Sequence, residues 1–279
     1  MGRIVWIASY PKSGNTWMRA FLANYYSHAG KPASLEEVSK FAVSESHPER
    51  YRQYAGGQDP ASIPYERLAQ VRPQVHAAIA AASPRTVFAK SHNYMGRFAG
   101  YPLHNLQATA GAVYIVRNPL DVAVSMMDHF GLNADEAIDF MANEETATPS
   151  NEFSVAEFLA SWSTHVSSWT AQRHPNIVVL RYEDMLERPG KAFQAVLKLV
   201  NQPRDAKRMN QAIKQSSFRR LRSLEDQHGF GERSYHSRRF FRSGSRDQWR
   251  TVLSREQVER MIEEHEDQMK RFDYIPKRF

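Results

Sequence analysis

The sequence predicts an α/β fold, a three-layer α/β/α sandwich around a mainly parallel central sheet. Two observations carry that prediction. Four short apolar runs, Ile4–Ala8, Thr86–Ala89, Ala112–Val116 and Ile177–Leu180, are strand-like. Helical patterns separate them, and strands joined through helices pair in parallel with helices on both faces. A chain of 279 residues, 42% of them hydrophobic, can bury a substantial core.

After the first run, Met18, Phe21, Leu22, Tyr25 and Tyr26 recur at the spacing of one helix face. Further helices are predicted over Tyr65–Ala82, Leu120–Phe130, Val155–Gln172, Gly190–Val200, Asp205–Lys214 and Arg255–Phe272. Ser254 and Gln257 form a capping-box pair at the start of the last of these. The Ala-rich stretch VHAAIAAASP reads as a helix ending at a proline. Residues 41–64, 93–111, 131–153 and 219–240 look irregular and polar, where insertions over a site usually sit. No repeat or low-complexity linker divides the chain, so residues 1–279 are expected to form one domain.

Lys and Arg number 37 against 30 Asp and Glu, a net charge of +7 that favours anionic ligands. The absence of cysteine excludes disulfides, thiolate catalysis and Cys-ligated metal. No apolar stretch approaches the ~18 residues of a membrane span, and the opening run is too brief for a secretory signal, so a cytoplasmic location is expected. Met-Gly at the start lacks the Ser or Thr that a myristoylation signal wants, position 6 being Trp.

In parallel α/β sheets ligands gather beyond the carboxyl ends of the strands. The first such end reads Tyr10-Pro11-Lys12-Ser13-Gly14-Asn15-Thr16-Trp17. Pro11 ends the strand, Gly14 admits close backbone approach, and Asn15 and Thr16 stand where a helix begins. Helix-start N–H groups with a lysine above make a site for phosphate or sulfonate. The GxxxxGK[ST] order of ATP and GTP enzymes is not met.

That stretch resembles the phosphosulfate-binding loop of sulfotransferases, which use 3′-phosphoadenosine 5′-phosphosulfate (PAPS) and release adenosine 3′,5′-bisphosphate (PAP); the resemblance implies a P-loop-like fold. It implies that Lys12, Ser13, Gly14, Asn15 and Thr16 hold the 5′-phosphate side of the donor and that Trp17 stacks on adenine. Arg117 and Ser125, eight apart after the third apolar run, are similar to the family's 3′-phosphate pair. Phe241-Arg242-Ser243-Gly244 followed by Trp249 resembles the segment that closes over the 3′-phosphate. Ser243 stands where the family has lysine, and Arg246 or a neighbouring arginine is expected to compensate. Tyr182 in RYEDM, and Ser216 and Phe218 in SSF, are similar to adenine-pocket segments.

Lys90-Ser91-His92 follows the second run and matches the family's Lys-Thr/Ser-His. Imidazole titrates near neutrality, as a base accepting a hydroxyl proton must. The resemblance implies in-line transfer of a sulfonate to a hydroxyl, or an amine, of a small molecule. His92 would be the base, Lys12 would stabilise the departing oxygen, Lys90 would neutralise the transferring group, and Ser125 would hold Lys12 back until the acceptor binds. No metal is required. Aromatic residues Tyr94, Phe98, Tyr101, Phe130 and Phe140 in or near the irregular segments hint at an apolar or aromatic acceptor.

Three other readings compete, one of them an inactive relative that retains donor binding, which the missing lysine at Ser243 leaves open. A nucleotide kinase would share the opening but would want an acidic magnesium ligand at a strand end, where this chain offers Arg117. The basic, aromatic-laced FRRLRS and SRRFFRSGSR stretches could serve a nucleic-acid-binding module, but such runs more often close over a ligand, so no nucleic-acid partner is expected. The oligomeric state is open: RTVLSREQVE reproduces only part of the dimer motif of the animal cytosolic relatives.

Overall fold

The computed structural model describes residues 2–27 and 31–279. Five strands form one parallel sheet: β1 (Ile4–Ser9), β2 (Ala42–Ser44), β3 (Val87–Ser91), β4 (Thr109–Val116) and β5 (Ile177–Arg181). Their spatial order is β2-β3-β1-β4-β5, with β1 at the centre. Every residue of β1 is buried, as expected of a strand covered on both faces. Alternate residues feed two cores. Ile4, Trp6 and Ala8 join Ala112, Tyr114 and Val116 on one face, while Val5 and Ile7 join Val113 and Ile115 on the other.

Helices α1 (Asn15–Tyr26), α8 (Pro189–Leu199) and α9 (Ala206–Gln215) cover the second face, with Met18, Phe21, Leu22 and Tyr25 turned inward as their spacing predicts. On the first face lie α3 (Tyr65–Ala81), α4 (Pro119–Phe130), α5 (Ala134–Ala142), α6 (Trp162–Thr170) and α11 (Arg255–Arg271). The capping box of Ser254 and Gln257 is formed.

Several elements differ from the sequence reading. The stretch 41–64 contains β2, three residues long and too short to show alternation. Helix α2 (Leu35–Phe41) precedes it, opened by a capping box of Ser34 and Glu37; a box of Asn133 and Glu136 likewise opens α5 inside the expected irregular stretch 131–153. Helix α7 (Tyr182–Glu187) follows β5 directly, and α10 (Phe218–His228) occupies much of 219–240. The helix expected from Val155 starts instead at Trp162, because Glu157 and Phe158 pair antiparallel with Ala147 and Thr148. Strand β3 runs on through Lys90 and Ser91, and β4 begins at Thr109.

Candidate active site

The turn after β1 bends sharply. Lys12 and Gly14 both lie in the left-handed region, at φ 65° and 103°, and Gly14 is the N-cap of α1. Asn15 Nδ2 donates to the Ile7 carbonyl at 2.8 Å, tying the helix start back to its strand. A Cβ on Gly14 would stand 2.7 Å from Cδ2 of Tyr182, so this ring supports the turn from beneath. The first turn of α1 carries no acidic residue. Around it the Ser13 hydroxyl and the Trp17 indole N–H, both able to donate, are buried with no partner among the described residues. Buried polar groups in a folded chain are normally paired. An N-terminal helix end surrounded by such groups is suited to an anion.

Arg117 stands at the end of β4, the strand beside β1. One Nη donates to the Lys12 carbonyl at 2.8 Å and the other to the Ser245 carbonyl at 3.3 Å, while the guanidinium lies 4.5 Å from the Tyr182 ring centre. Its Nε is buried and has no partner among the described residues. The next turn is anchored twice. The Asp121 carboxylate accepts from the backbone N–H groups of Asp247 and Trp249, holding the 245–249 segment on α4. Glu183 Oε1 accepts from the Asn118 N–H at 3.0 Å, and its other oxygen accepts from the Tyr274 hydroxyl at 2.7 Å. That hydroxyl also lies 3.4 Å from the Val116 carbonyl. Ser125 is half-buried on α4.

His92 follows β3, on the other side of β1. Its Nδ1 donates to the Ser9 carbonyl at 2.7 Å, which assigns the proton to Nδ1 and leaves the Nε2 lone pair available. Burial pulls this imidazole down to about 4, the neighbouring Lys90 charge pushing the same way, so it is neutral at neutral pH. His165 Nε2 donates to the His92 carbonyl at 3.0 Å, and the Tyr114 hydroxyl donates to His165 Nδ1 at 2.9 Å. On either side of His92, Ser91 Oγ and Asn93 Nδ2 donate to the fully buried carboxylate of Glu45. Arg72 pairs with the same carboxylate, and His76 lies 3.2 Å from it. Although burial opposes it, Arg72 and then His76 hold the Glu45 carboxyl well below the ordinary range.

The segment 229–241 lies over these strand ends. Phe240 places its ring centre 4.2 Å from the Lys12 ammonium, and Glu232 pairs with Arg19 of α1. Lys12 therefore faces Phe240. Burial pushes the Lys12 ammonium down to about 8; Arg117 and Lys90 add to the shift, and the carboxylates of Asp128 and Glu232 resist it. Arg117 bonds the Lys12 carbonyl and His92 the Ser9 carbonyl, so the turn after β1 is held between the ends of its two neighbouring strands.

Beyond this strap, the Phe218 ring packs on the Gly244 backbone so closely that a Cβ there would fall 2.1 Å from it. Trp17 and Phe218 both pack against the cluster that contains Ala20 and Leu221. Ser216 is fully buried and its hydroxyl donates to the Ile213 carbonyl at 3.3 Å. Ser243 bonds to Ser245, and the exposed Arg242 donates to Gln248 at 2.8 Å. Arg246 pairs with Glu187 at the surface. Sequence reading overlooked Arg19, Asp121, Glu232 and Phe240; only Arg19 left a local signal, three positions after Thr16 on the same helix face.

A sequence profile of the sulfotransferase domain matches residues 3–273. Sulfotransferase 1A1 of Canis lupus familiaris is 26% identical over 228 residues, covering 78% of this chain and 65% of that protein. Sulfotransferase 1A1 of Rattus norvegicus is 24% identical over 222 residues, 77% of this chain and 66% of its own length. The matched stretch thus spans somewhat less than two thirds of these relatives. Among solved structures, mouse sulfotransferase SULT7A1 complexed with PAP aligns with a TM-score of 0.62 at 17% identity, over 98% of this chain and 86% of that one. Retinol dehydratase in a complex with retinol and PAP aligns with a TM-score of 0.64 at 20% identity, over 96% and 81% of the two chains. With a profile match over nearly its whole length, the chain belongs to the sulfotransferase family.

Proposed function

We propose that this chain is a PAPS-dependent sulfotransferase, acting as one unit over residues 1–279 in the cytoplasm. The observation that carries the proposal is the convergence of Lys12, His92 and Arg117 at the ends of three adjacent parallel strands, beside buried polar groups that have no partner among the described residues. The orphaned Ser13 hydroxyl, the unpaired Trp17 Nε1 and the bare start of α1 fit a nucleotide phosphate and its base. Similar folds solved with PAP support the same ligand.

In this reading, residues 12–16 bind the 5′-phosphate, Arg117 and Ser125 the 3′-phosphate, and Trp17 and Phe218 flank the adenine, with Tyr182 as the floor beneath the loop. His92 Nε2 accepts the proton of the acceptor hydroxyl as its oxygen attacks sulfur. Lys12 stabilises the negative charge that develops on the departing phosphate oxygen, and Lys90 that on the transferring sulfonate. These fixed cations carry the electrostatic load of the displacement. The acceptor is a small apolar or aromatic molecule: Tyr94, Phe98 and Tyr101 cluster with Leu103 and Phe158 just past His92, and Phe130 stacks on Phe140 at 5.7 Å.

Transfer from ³⁵S-labelled donor to a panel of phenols and hydrophobic alcohols tests the reading. His92→Ala should lower transfer by about 10²–10⁴-fold, the usual contribution of a general base, while calorimetry finds PAP bound nearly as before. Near-normal turnover in that variant would place the base elsewhere.

A further inference from the structure

Arg19 lies on α1, one turn beyond the phosphate-binding loop, and is 2% exposed. One Nη donates to Thr16 Oγ1 at 2.7 Å and to Glu232 Oε2 at 2.6 Å, the other to Glu232 Oε1 at 2.8 Å. Ser39 of α2 donates to Glu232 at 3.2 Å. A guanidinium has donors only, so Thr16 must accept this bond, and its own proton must point elsewhere. Arg19 is the one hydrogen-bond partner of that hydroxyl among the described residues. The hydroxyl proton is thus left for an acceptor outside the protein, beside the open start of the helix.

Glu232 belongs to the strap 229–241, which touches the site elsewhere as well. Phe240 faces Lys12, and the Ser237 hydroxyl meets Asp128 of α4 at 2.7 Å from a carboxylate oxygen and 2.8 Å from the carbonyl. Although burial opposes it, the Arg19 guanidinium, with Lys90 behind it, holds the Glu232 carboxyl below its ordinary range. The fork of Arg19 is thereby fixed between the strap and the loop.

We propose that Arg19 is a positioning residue for the nucleotide phosphate: it orients the Thr16 hydroxyl as a donor, and Glu232 on the strap sets Arg19 in place. The proposal rests on the reading that residues 12–16 hold the 5′-phosphate, and it predicts that nucleotide affinity depends on how the strap is seated.

A double-mutant cycle on the full chain tests it, with PAP as the probe in isothermal calorimetry and thermal unfolding as the check on folding. Thr16→Val and Arg19→Met should each weaken PAP about tenfold, the scale of one hydrogen bond to a charged group. Their combination should be no weaker than Thr16→Val alone, since Arg19 acts through that hydroxyl. Thr16→Ser, which keeps the oxygen, should restore most of the affinity. Should Arg19→Met fail to fold, Glu232→Gln takes its place: it keeps the shape of the pair and should weaken PAP several-fold with Thr16 present, and not at all when added to Thr16→Val. Additive losses, or no loss in either partner of the pair, would overturn the proposal. Failure of the unmodified protein to bind PAP would instead overturn the assignment of the loop.

Discussion

Lys12 carries the most consequential charge in the site, and its setting makes a pH argument possible. Burial first, and then Arg117 and Lys90, bring its ammonium down to about 8. The charged form prevails below that value, so a reaction needing the ammonium should lose kcat/KM as pH rises through about 8. His92 is neutral above about 4, so its protonation limits the reaction only in acid. A profile of kcat/KM against pH should therefore be level through neutrality and fall on the alkaline side. Lys12→Arg, which stays charged, should lower the plateau and abolish the alkaline fall; an unchanged fall in that variant would assign it to another group.

At the scale of an element, the unit formed by β1, its turn and α1 depends on a glycine for two reasons at once. Gly14 adopts a φ of 103°, and a Cβ there would meet the Tyr182 ring at 2.7 Å. Gly14→Ala should destabilise the chain by about 1–3 kcal/mol, the usual strain of a side chain in that region. Because the same turn presents the helix N–H groups, the rise in Tm on adding PAP should also shrink. Melting curves with and without PAP measure both effects, and an unshifted pair of curves would contradict the assignment of this turn. The elements that the sequence concealed are instructive too. SLEE and NADE carry the capping boxes of α2 and α5, a readable signal masked by the polarity of the stretches around them. Val155–Ala160 shows the opposite case: this buried, mostly apolar stretch stays out of the helix because Glu157 and Phe158 pair with Ala147 and Thr148, a two-residue ladder too short to leave an alternating pattern.

Across the whole molecule, what could be read in advance follows from topology. A parallel sheet sends its strand ends to one edge, so Lys12, His92 and Arg117 were legible as residues within four positions of the end of an apolar run. The contacts that complete the site were not. Arg19 meets Glu232 across 213 positions, and Asp121 meets the Trp249 N–H across 128. Such pairs exist only once the layers have packed. The aromatic residues that hint at an acceptor illustrate the same limit, since Phe98 stacks on Phe158 at 4.1 Å in a cluster whose partners come from distant stretches.

The Tyr274 hydroxyl, near the carboxyl terminus of the chain, is stitched to the turn that bears Arg117, 158 positions from the Val116 carbonyl. Sequence distance therefore gives that cation no insulation from events at the far end. With that turn in the proposed nucleotide role, trimming or tagging the tail should weaken PAP by remote linkage, and even Tyr274→Phe, the loss of one oxygen atom, should loosen it several-fold in a titration while circular dichroism stays the same; equal affinity would show that the two ends are decoupled.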